Sequence, residues 1–99
     1  MNIEFTARHF HAPENLRDYA EKEVFRITKY YPRAVQCQVV LVHENNQFTT
    51  ELNLSIPQRK LNVKETTSNV TKSIDRAVQK MIHRISRVKT KQRSKNLCK

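Results

Sequence analysis

The sequence predicts an α+β domain of order β-α-β-β-β-α, in which a four-stranded sheet carries two helices packed on one face. Two stretches carry apolar residues at helical spacing, and four shorter stretches alternate apolar and polar residues with the period of two that a half-buried strand shows. The chain has 99 residues, of which 37% are apolar. That length supports one core and is too short for two.

The first strand and the first helix follow from the N-terminal third of the sequence. Residues 3–7 alternate apolar and polar side chains, which predicts a strand that ends near Arg8. Pro13 begins the helix, because proline needs no hydrogen-bond donor in the first helical turn, and Pro32 ends it. The apolar residues of this helix recur at spacings of three and four and predict one buried stripe: Leu16, Ala20, Val24, Ile27 and Tyr31.

A central strand and a tight turn come next. Residues 35–43 have apolar side chains along one face and part of the other, which is typical of a strand inside a sheet. The alternation places Cys37 on the face that packs against the helices. Asn45 and Asn46 predict the turn that follows, since asparagine is the best substitute for glycine at positive φ and this chain contains no glycine.

Two further strands complete the predicted sheet. Residues 48–56 alternate regularly and stop at Pro57. Residues 60–64 form a short fourth strand, whose lysines suit a protected sheet edge. A helix that joins two parallel strands takes a right-handed crossover, so the first helix lies on one sheet face and leaves room there for a second helix.

The final helix is predicted from about Ser68 to about Lys91. Its apolar stripe is continuous: Val70, Ile74, Ala77, Val78, Met81, Ile85 and Val88. Residues 92–99 are polar and basic, so we expect a disordered C-terminal tail. The predicted organisation is a single binding domain at 1–91 followed by this basic tail at 92–99.

The charge of the chain favours nucleic acid as its partner. Nineteen Lys and Arg residues against nine Asp and Glu residues give a formal net charge of +10, which attracts a polyanion. We expect no membrane partner, because there is no Trp to anchor a basic surface in lipid. The N-terminus lacks the apolar run of a signal peptide, and Cys37 and Cys98 suit two free thiols in a reducing cytoplasm.

The positive charge of the final helix is concentrated in one arc of its surface: Lys72, Arg76, Lys80, His83, Arg84, Arg87 and Lys91. No carboxylate lies in this arc. An ordinary solvated face usually mixes both signs, so the arc predicts contact with RNA phosphates. In the first helix, Lys22, Arg26 and Lys29 form a second candidate set, diluted by Asp18 and Glu23. Two helices side by side would present both sets to structured RNA, which is recognised by shape.

The sequence argues against catalysis. Without glycine, neither a Gly-rich phosphate loop nor a nucleophile elbow can form in its usual way. His9 and His11 are expected to be an ordinary surface pair, since no ligand cluster accompanies them. Tyr19, Tyr30 and Tyr31 offer rings for base stacking, but core packing is the favoured role. We therefore expect no catalytic residue, cofactor, metal or small-molecule substrate.

Short motifs in both helices strengthen the prediction of RNA binding: Leu16-Arg17-Asp18-Tyr19, Arg26-Ile27, Tyr30-Tyr31, Ile74-Asp75, Lys80-Met81, Ile85, Arg87 and Lys89. With the element order, they resemble the ribosome hibernation-promoting factor and ribosome-associated inhibitor family, also called sigma-54 modulation proteins, over nearly the whole chain. Two positions depart from the family pattern. Glu23 stands where the family tends to carry a lysine, and Gln79 replaces an acidic residue.

The resemblance implies a specific function. Members of this family bind the small ribosomal subunit in the channel for messenger and transfer RNA and block translation by occlusion in stationary phase or stress. This chain resembles the short form, which needs another factor to pair ribosomes, and it would be monomeric when free. Two alternatives stay open, namely a generic structured-RNA-binding domain and a regulator that binds an acidic protein.

Overall fold

The structure, a computed structural model, describes the backbone of residues 1–97 and the side chains of residues 1–88. Seven elements follow one another along the chain: β1 (Asn2–Arg8), α1 (Glu14–Phe25), α2 (Ile27–Tyr30), β2 (Gln36–Glu44), β3 (Gln47–Ile56), β4 (Arg59–Thr67) and α3 (Val70–Leu97). This order confirms the predicted α+β fold, with the first helix divided into α1 and the short α2.

The division of the first helix lies at Arg26. The backbone N–H of Arg26 donates to the carbonyl oxygen of Glu23 at 3.2 Å, and that of Lys29 donates to Arg26 at 3.1 Å. Hydrogen bonds to the residue three positions earlier tighten the backbone and interrupt the α-helical ladder. The second segment ends at Tyr31, whose φ of −146° and ψ of 85° lie outside the helical region, which a following proline disfavours.

The four strands lie in the order β1-β2-β3-β4. Strands β1 and β2 pair in parallel across the α1–α2 crossover, while β2–β3 and β3–β4 are antiparallel hairpins. Strand β4 is longer than the predicted segment 60–64, because its pairing continues along β3 as far as Phe48 and Thr67. The sheet has two edge strands, β1 and β4.

Both hairpin turns use residues at positive φ without glycine. Asn45 and Asn46 have φ values of 53° and 60°, which is the geometry of a type I′ turn and confirms the predicted turn. In the second hairpin Gln58 has a φ of 66° directly after Pro57. A left-handed glutamine is unusual, because only asparagine and aspartate adopt this region readily among residues with a Cβ atom.

The core lies between the sheet and the helices. The predicted stripes of both helices enter it, and its fully buried members come from every element except β1: Ala20, Val24, Ile27, Cys37, Val39, Leu41, Leu52, Leu54, Ile74, Ala77, Val78, Met81 and Ile85, with Val63 at 2% exposure. Cys37 is buried as the strand alternation predicted. Burial raises the pKa of its thiol to about 12.

Helix α3 continues beyond its predicted end. It extends to Leu97, past Lys91, because residues 92–97 contain no proline or glycine and include several good helix formers. The predicted end near Lys91 is therefore too early. The boundary between a domain at 1–91 and a C-terminal tail at 92–99 stays a prediction, and Cys98 and Lys99 lie outside the described residues.

Candidate nucleic-acid interface

A row of five cations runs along α3, and we call it the α3 row: Lys72, Arg76, Lys80, Arg84 and Arg87. All five are exposed, while the apolar stripe on the other side of α3 is buried. Spacings of three and four place them on neighbouring turns of one side of the helix. The side chain of Lys91, also predicted to bind RNA, lies outside the described side chains.

Three members of the α3 row have no partner within residues 1–88. The side chains of Lys72, Arg76 and Arg87 make no hydrogen bond or ion pair with that part of the chain. Like charges in a row repel one another and lower the stability of the fold. These three side chains therefore keep their donors available for an anionic partner.

The other two members of the row contact β4. The ammonium of Lys80 lies 3.1 Å from the carboxylate of Glu65, and the guanidinium of Arg84 donates to the backbone oxygen of Asn62 at 2.7 Å. The sequence argument that the arc lacks a carboxylate holds along α3, but the neighbouring strand supplies one. The Lys80 ion pair is 51% and 25% exposed at its two side chains, so it contributes only about 0–1 kcal/mol.

The candidate residues of the first helix are arranged differently. Lys22 and Lys29 are exposed. Arg26 pairs with Glu23 at 2.8 Å, and this hydrogen bond, followed by the attraction of the same carboxylate, raises the pKa of Arg26. Since an arginine is charged at any physiological pH, the shift leaves its charge unchanged.

A cleft of about 400 Å³ separates α1 from α3, and we call it the inter-helix cleft. It is lined by residues of both helices: Tyr19, Glu23, Arg26, Lys72, Asp75, Arg76 and Gln79. The packing thus brings Arg26 to the same side of the molecule as the first two members of the α3 row. Lys22 and Lys29 do not line this cleft.

A hydrogen bond crosses the inter-helix cleft. The phenol of Tyr19 donates to the carboxylate of Asp75 at 2.5 Å. This bond, with smaller effects of burial and of the negative charge of Asp75, raises the pKa of Tyr19 to about 12. Tyr31 is buried and Tyr19 packs against the core, as predicted, whereas Tyr30 is 43% exposed at the surface.

A second cleft, of about 580 Å³, lies between β4 and α3, and we call it the β4 cleft. Its lining combines three arginines with apolar residues: Arg59, Leu61, His83, Arg84, Ser86, Arg87 and Val88. Arg59 was missed by the sequence analysis. It begins β4 after the turn at Pro57 and Gln58, and nothing in the strand periodicity relates it to α3.

The described residues offer no alternative metal centre. Among them, no group of three or more His, Cys, Asp or Glu side chains is arranged to hold an ion. His9 Nδ1 lies 2.9 Å from the carboxylate of Glu44, at exposed positions on both sides. No helix in this part of the chain is long and apolar enough to cross a bilayer.

Comparisons with known proteins relate this chain to one family and to two solved structures. Residues 3–93 match the family described as sigma 54 modulation protein / S30EA ribosomal protein. No curated protein matches the chain. The N-terminal domain of Protein Y from Thermus thermophilus is 27% identical with a TM-score of 0.81, over 89% of this chain and 99% of that one. A ribosomal subunit interface protein from Coxiella burnetii, 19% identical, shares the fold with a TM-score of 0.85 over 91% and 99% of the two chains.

Proposed function

The chain belongs to the sigma 54 modulation protein / S30EA ribosomal protein family, and on that premise we propose that it binds the small ribosomal subunit in the channel for messenger and transfer RNA. In this proposal it acts in the cytoplasm and represses translation by occlusion in stationary phase or stress. No bond is made or broken. The observation that carries the proposal is the α3 row, in which three exposed cations lack a partner within residues 1–88.

The proposed contacts are to phosphates of ribosomal RNA, made by the basic residues of both helices: Lys22, Arg26, Lys29, Lys72, Arg76, Lys80, Arg84, Arg87 and Lys91. Arg76 and Arg87 are the strongest candidates, since their guanidiniums are unpaired within residues 1–88 and fit a phosphate with two parallel hydrogen bonds. Lys80 would first have to leave Glu65. A net charge of +10 supports the same proposal, because it favours association with a polyanion.

A double charge reversal tests the proposal. Arg76→Glu with Arg87→Glu should abolish co-sedimentation with small subunits in a sucrose gradient and leave the thermal midpoint nearly unchanged, because both side chains are exposed. The matched control is Lys60→Glu with Lys64→Glu. It makes the same change in charge at exposed positions on the opposite sheet face and should sediment like the wild type. Normal co-sedimentation of the folded Arg76/Arg87 variant would contradict the proposal.

The two alternative functions, a generic structured-RNA-binding domain and a regulator that binds an acidic protein, differ from the proposed function in the partner that they require. The protein is captured from a lysate with its partners, and the sample is divided and treated with ribonuclease. Loss of the partners favours RNA, and their retention favours an acidic protein. Enrichment of small-subunit RNA over other structured RNA then distinguishes the ribosome from a generic RNA target.

A further inference from the structure

The β4 cleft differs in chemistry from the inter-helix cleft. Among residues 1–88, its polar lining is cationic or neutral, with Arg59, His83, Arg84 and Arg87, and includes no carboxylate. The inter-helix cleft, by contrast, contains both Glu23 and Asp75. The floor of the β4 cleft is apolar, since Leu61 and Val88 line it and are 9% and 7% exposed. This combination of uncompensated guanidiniums and an apolar floor is absent from the inter-helix cleft.

The three arginines of the β4 cleft are not equivalent. Arg84 is held in place by its hydrogen bond to the backbone oxygen of Asn62. The side chains of Arg59 and Arg87 have no hydrogen bond or ion pair within residues 1–88. The cleft therefore offers one fixed guanidinium plane and two guanidiniums whose donors are available, from an edge strand and a helix respectively.

The apolar floor distinguishes the possible anionic occupants. The phosphates of an RNA duplex would pair with the arginines but would make no favourable contact with Leu61 and Val88. Aspartate and glutamate side chains would also make little contact with the apolar floor, because only a short aliphatic segment carries their carboxylates. An unpaired nucleotide has both parts: its base offers flat faces that pack on apolar side chains and on an arginine plane, and its two flanking phosphates accept from arginine. A cleft of about 580 Å³ is also within the range of about 300–1,000 Å³ of pockets that enclose small molecules.

We propose that the β4 cleft holds one unpaired nucleotide of structured RNA, with the base against Leu61, Val88 and the guanidinium of Arg84. Arg59 and Arg87 bind the phosphates on either side of it. This inference rests on the proposed function, because it assigns to the RNA partner a local feature, a bulged or looped nucleotide next to a helix. Lys72, Arg76 and Lys80 of the α3 row then lie along the backbone of the paired RNA. Arg59, Arg84 and Arg87 surround the unpaired nucleotide.

Two RNA hairpins of equal length test the assignment, one fully paired and one with a single-nucleotide bulge. Their affinities for the full chain are measured by fluorescence anisotropy. The wild type should prefer the bulged hairpin by on the order of tenfold, a size within the range that stacking of one base gives. An abasic bulge keeps the kink and phosphates but lacks the base, so it should remove the preference.

The variant Arg59→Ala should lose the preference, because its phosphate contact forms only when a nucleotide occupies the β4 cleft. Its affinity for the paired hairpin should change by about twofold or less, because Arg59 is outside the α3 row. The control Lys64→Ala removes a charge from an exposed position of the same strand and should keep the preference. Thermal melts of both variants verify folding.

Four results would overturn the assignment: equal affinity of the wild type for both hairpins, binding to neither, an equal loss for both hairpins in Arg59→Ala, or displacement of bulged RNA by polyglutamate as efficiently as by unlabelled bulged RNA. The last result would identify an acidic polypeptide as the occupant. Co-sedimentation with small subunits is measured in parallel. A wild type that co-sediments but shows no preference refutes the nucleotide site alone, whereas one that prefers the bulge but does not co-sediment refutes the ribosomal proposal.

Discussion

Two arginines of α3 differ in whether the fold provides them with a hydrogen-bond partner. Arg84 and Arg87 lie three residues apart on α3, yet Arg84 donates to the backbone of β4 and Arg87 has no partner within residues 1–88. The fold thus uses one arginine to attach the helix to the sheet edge and leaves the other available. Replacing Arg84 is therefore expected to affect both stability and binding, and replacing Arg87 mainly binding.

The burial of Cys37 predicts that its thiol reacts slowly in the folded protein. In a Cys98→Ser background, Cys37 should react with a thiol reagent far more slowly than a free cysteine at neutral pH, since the thiolate is the reactive species and burial raises the pKa of this thiol to about 12. Urea at a denaturing concentration should restore rapid labelling. Reaction of the native protein at the unfolded rate would contradict the packing of β2 against the helices.

The raised pKa of Cys37 also makes the stability of the fold depend on pH. The folded state favours the neutral thiol. The contribution of this group to the free energy of unfolding is therefore fully present below the ordinary thiol pKa of 9.0 and is lost as the pH rises from there towards about 12. The unfolded chain releases this proton first in that window. Alkaline pH therefore destabilises the fold through this group, and acid pH does not.

Contacts between elements fix the relative positions of the two helices. Tyr19 of α1 donates to Asp75 of α3, and a buried pair of hydroxyls, Thr50 and Ser73, lies 2.8 Å apart between β3 and α3. Arg84 adds a bond from α3 to β4. Together these contacts fix α3 against both α1 and the sheet, so that Arg26 lies on the same side of the molecule as Lys72 and Arg76.

The Tyr19–Asp75 bond is testable by titration. Asp75→Asn should lower the pKa of Tyr19 from about 12 towards its ordinary 10.0, because Asp75 is the largest cause of the shift. The absorbance of tyrosinate, compared between this variant and the same variant with Tyr19→Phe, follows the Tyr19 transition alone. The control Asp18→Asn removes an exposed carboxylate from α1 and should leave the pKa high.

The sign of the Tyr19 effect on stability follows from the same shift. The fold favours the neutral phenol, so the stabilisation is complete below pH 10 and decreases as the pH rises through the window from 10.0 to about 12. Asp75→Asn should weaken this alkaline dependence. An unchanged Tyr19 titration in Asp75→Asn would show that the hydrogen bond does not form in solution.

The whole molecule is a polycation whose charge is not balanced within the fold. With a net charge of +10, its association with RNA should release condensed cations and should weaken as salt is added. A folded acidic protein has no counterion atmosphere of comparable density, so a protein partner predicts a shallower dependence. Salt dependence therefore reports on the class of partner, whatever its identity.

A salt titration of small-subunit binding gives the corresponding prediction. If about six phosphates are engaged, affinity should fall by about a thousandfold or more between about 50 and 200 mM monovalent salt. Arg87→Ala should reduce the slope by about one unit, because it removes one phosphate contact. The control Lys64→Ala should retain the wild-type slope. A flat wild-type titration would exclude the phosphate mechanism.

Local patterns along the chain account for most of the fold. The apolar stripe from Val70 to Val88 determined α3, and Asn45 and Asn46 determined the first hairpin, because both signals act over a few residues. The interruption at Arg26 and the left-handed Gln58 were not predictable in this way. Arg26 keeps ordinary right-handed angles, with φ of −58° and ψ of −23°, so its residue type gives no signal of the interruption. Glutamine disfavours the left-handed region that Gln58 occupies.

The sequence by itself determined the α+β order, the buried stripes and the concentration of charge on α3, since periodicity and composition are properties of the chain alone. Only the tertiary structure decided which cations are available. It supplied Glu65 to Lys80 and the backbone of Asn62 to Arg84, and it brought Arg59 into a cleft with Arg87. These contacts join residues far apart in sequence, and their formation depends on how α3 packs across the sheet, which no local pattern specifies.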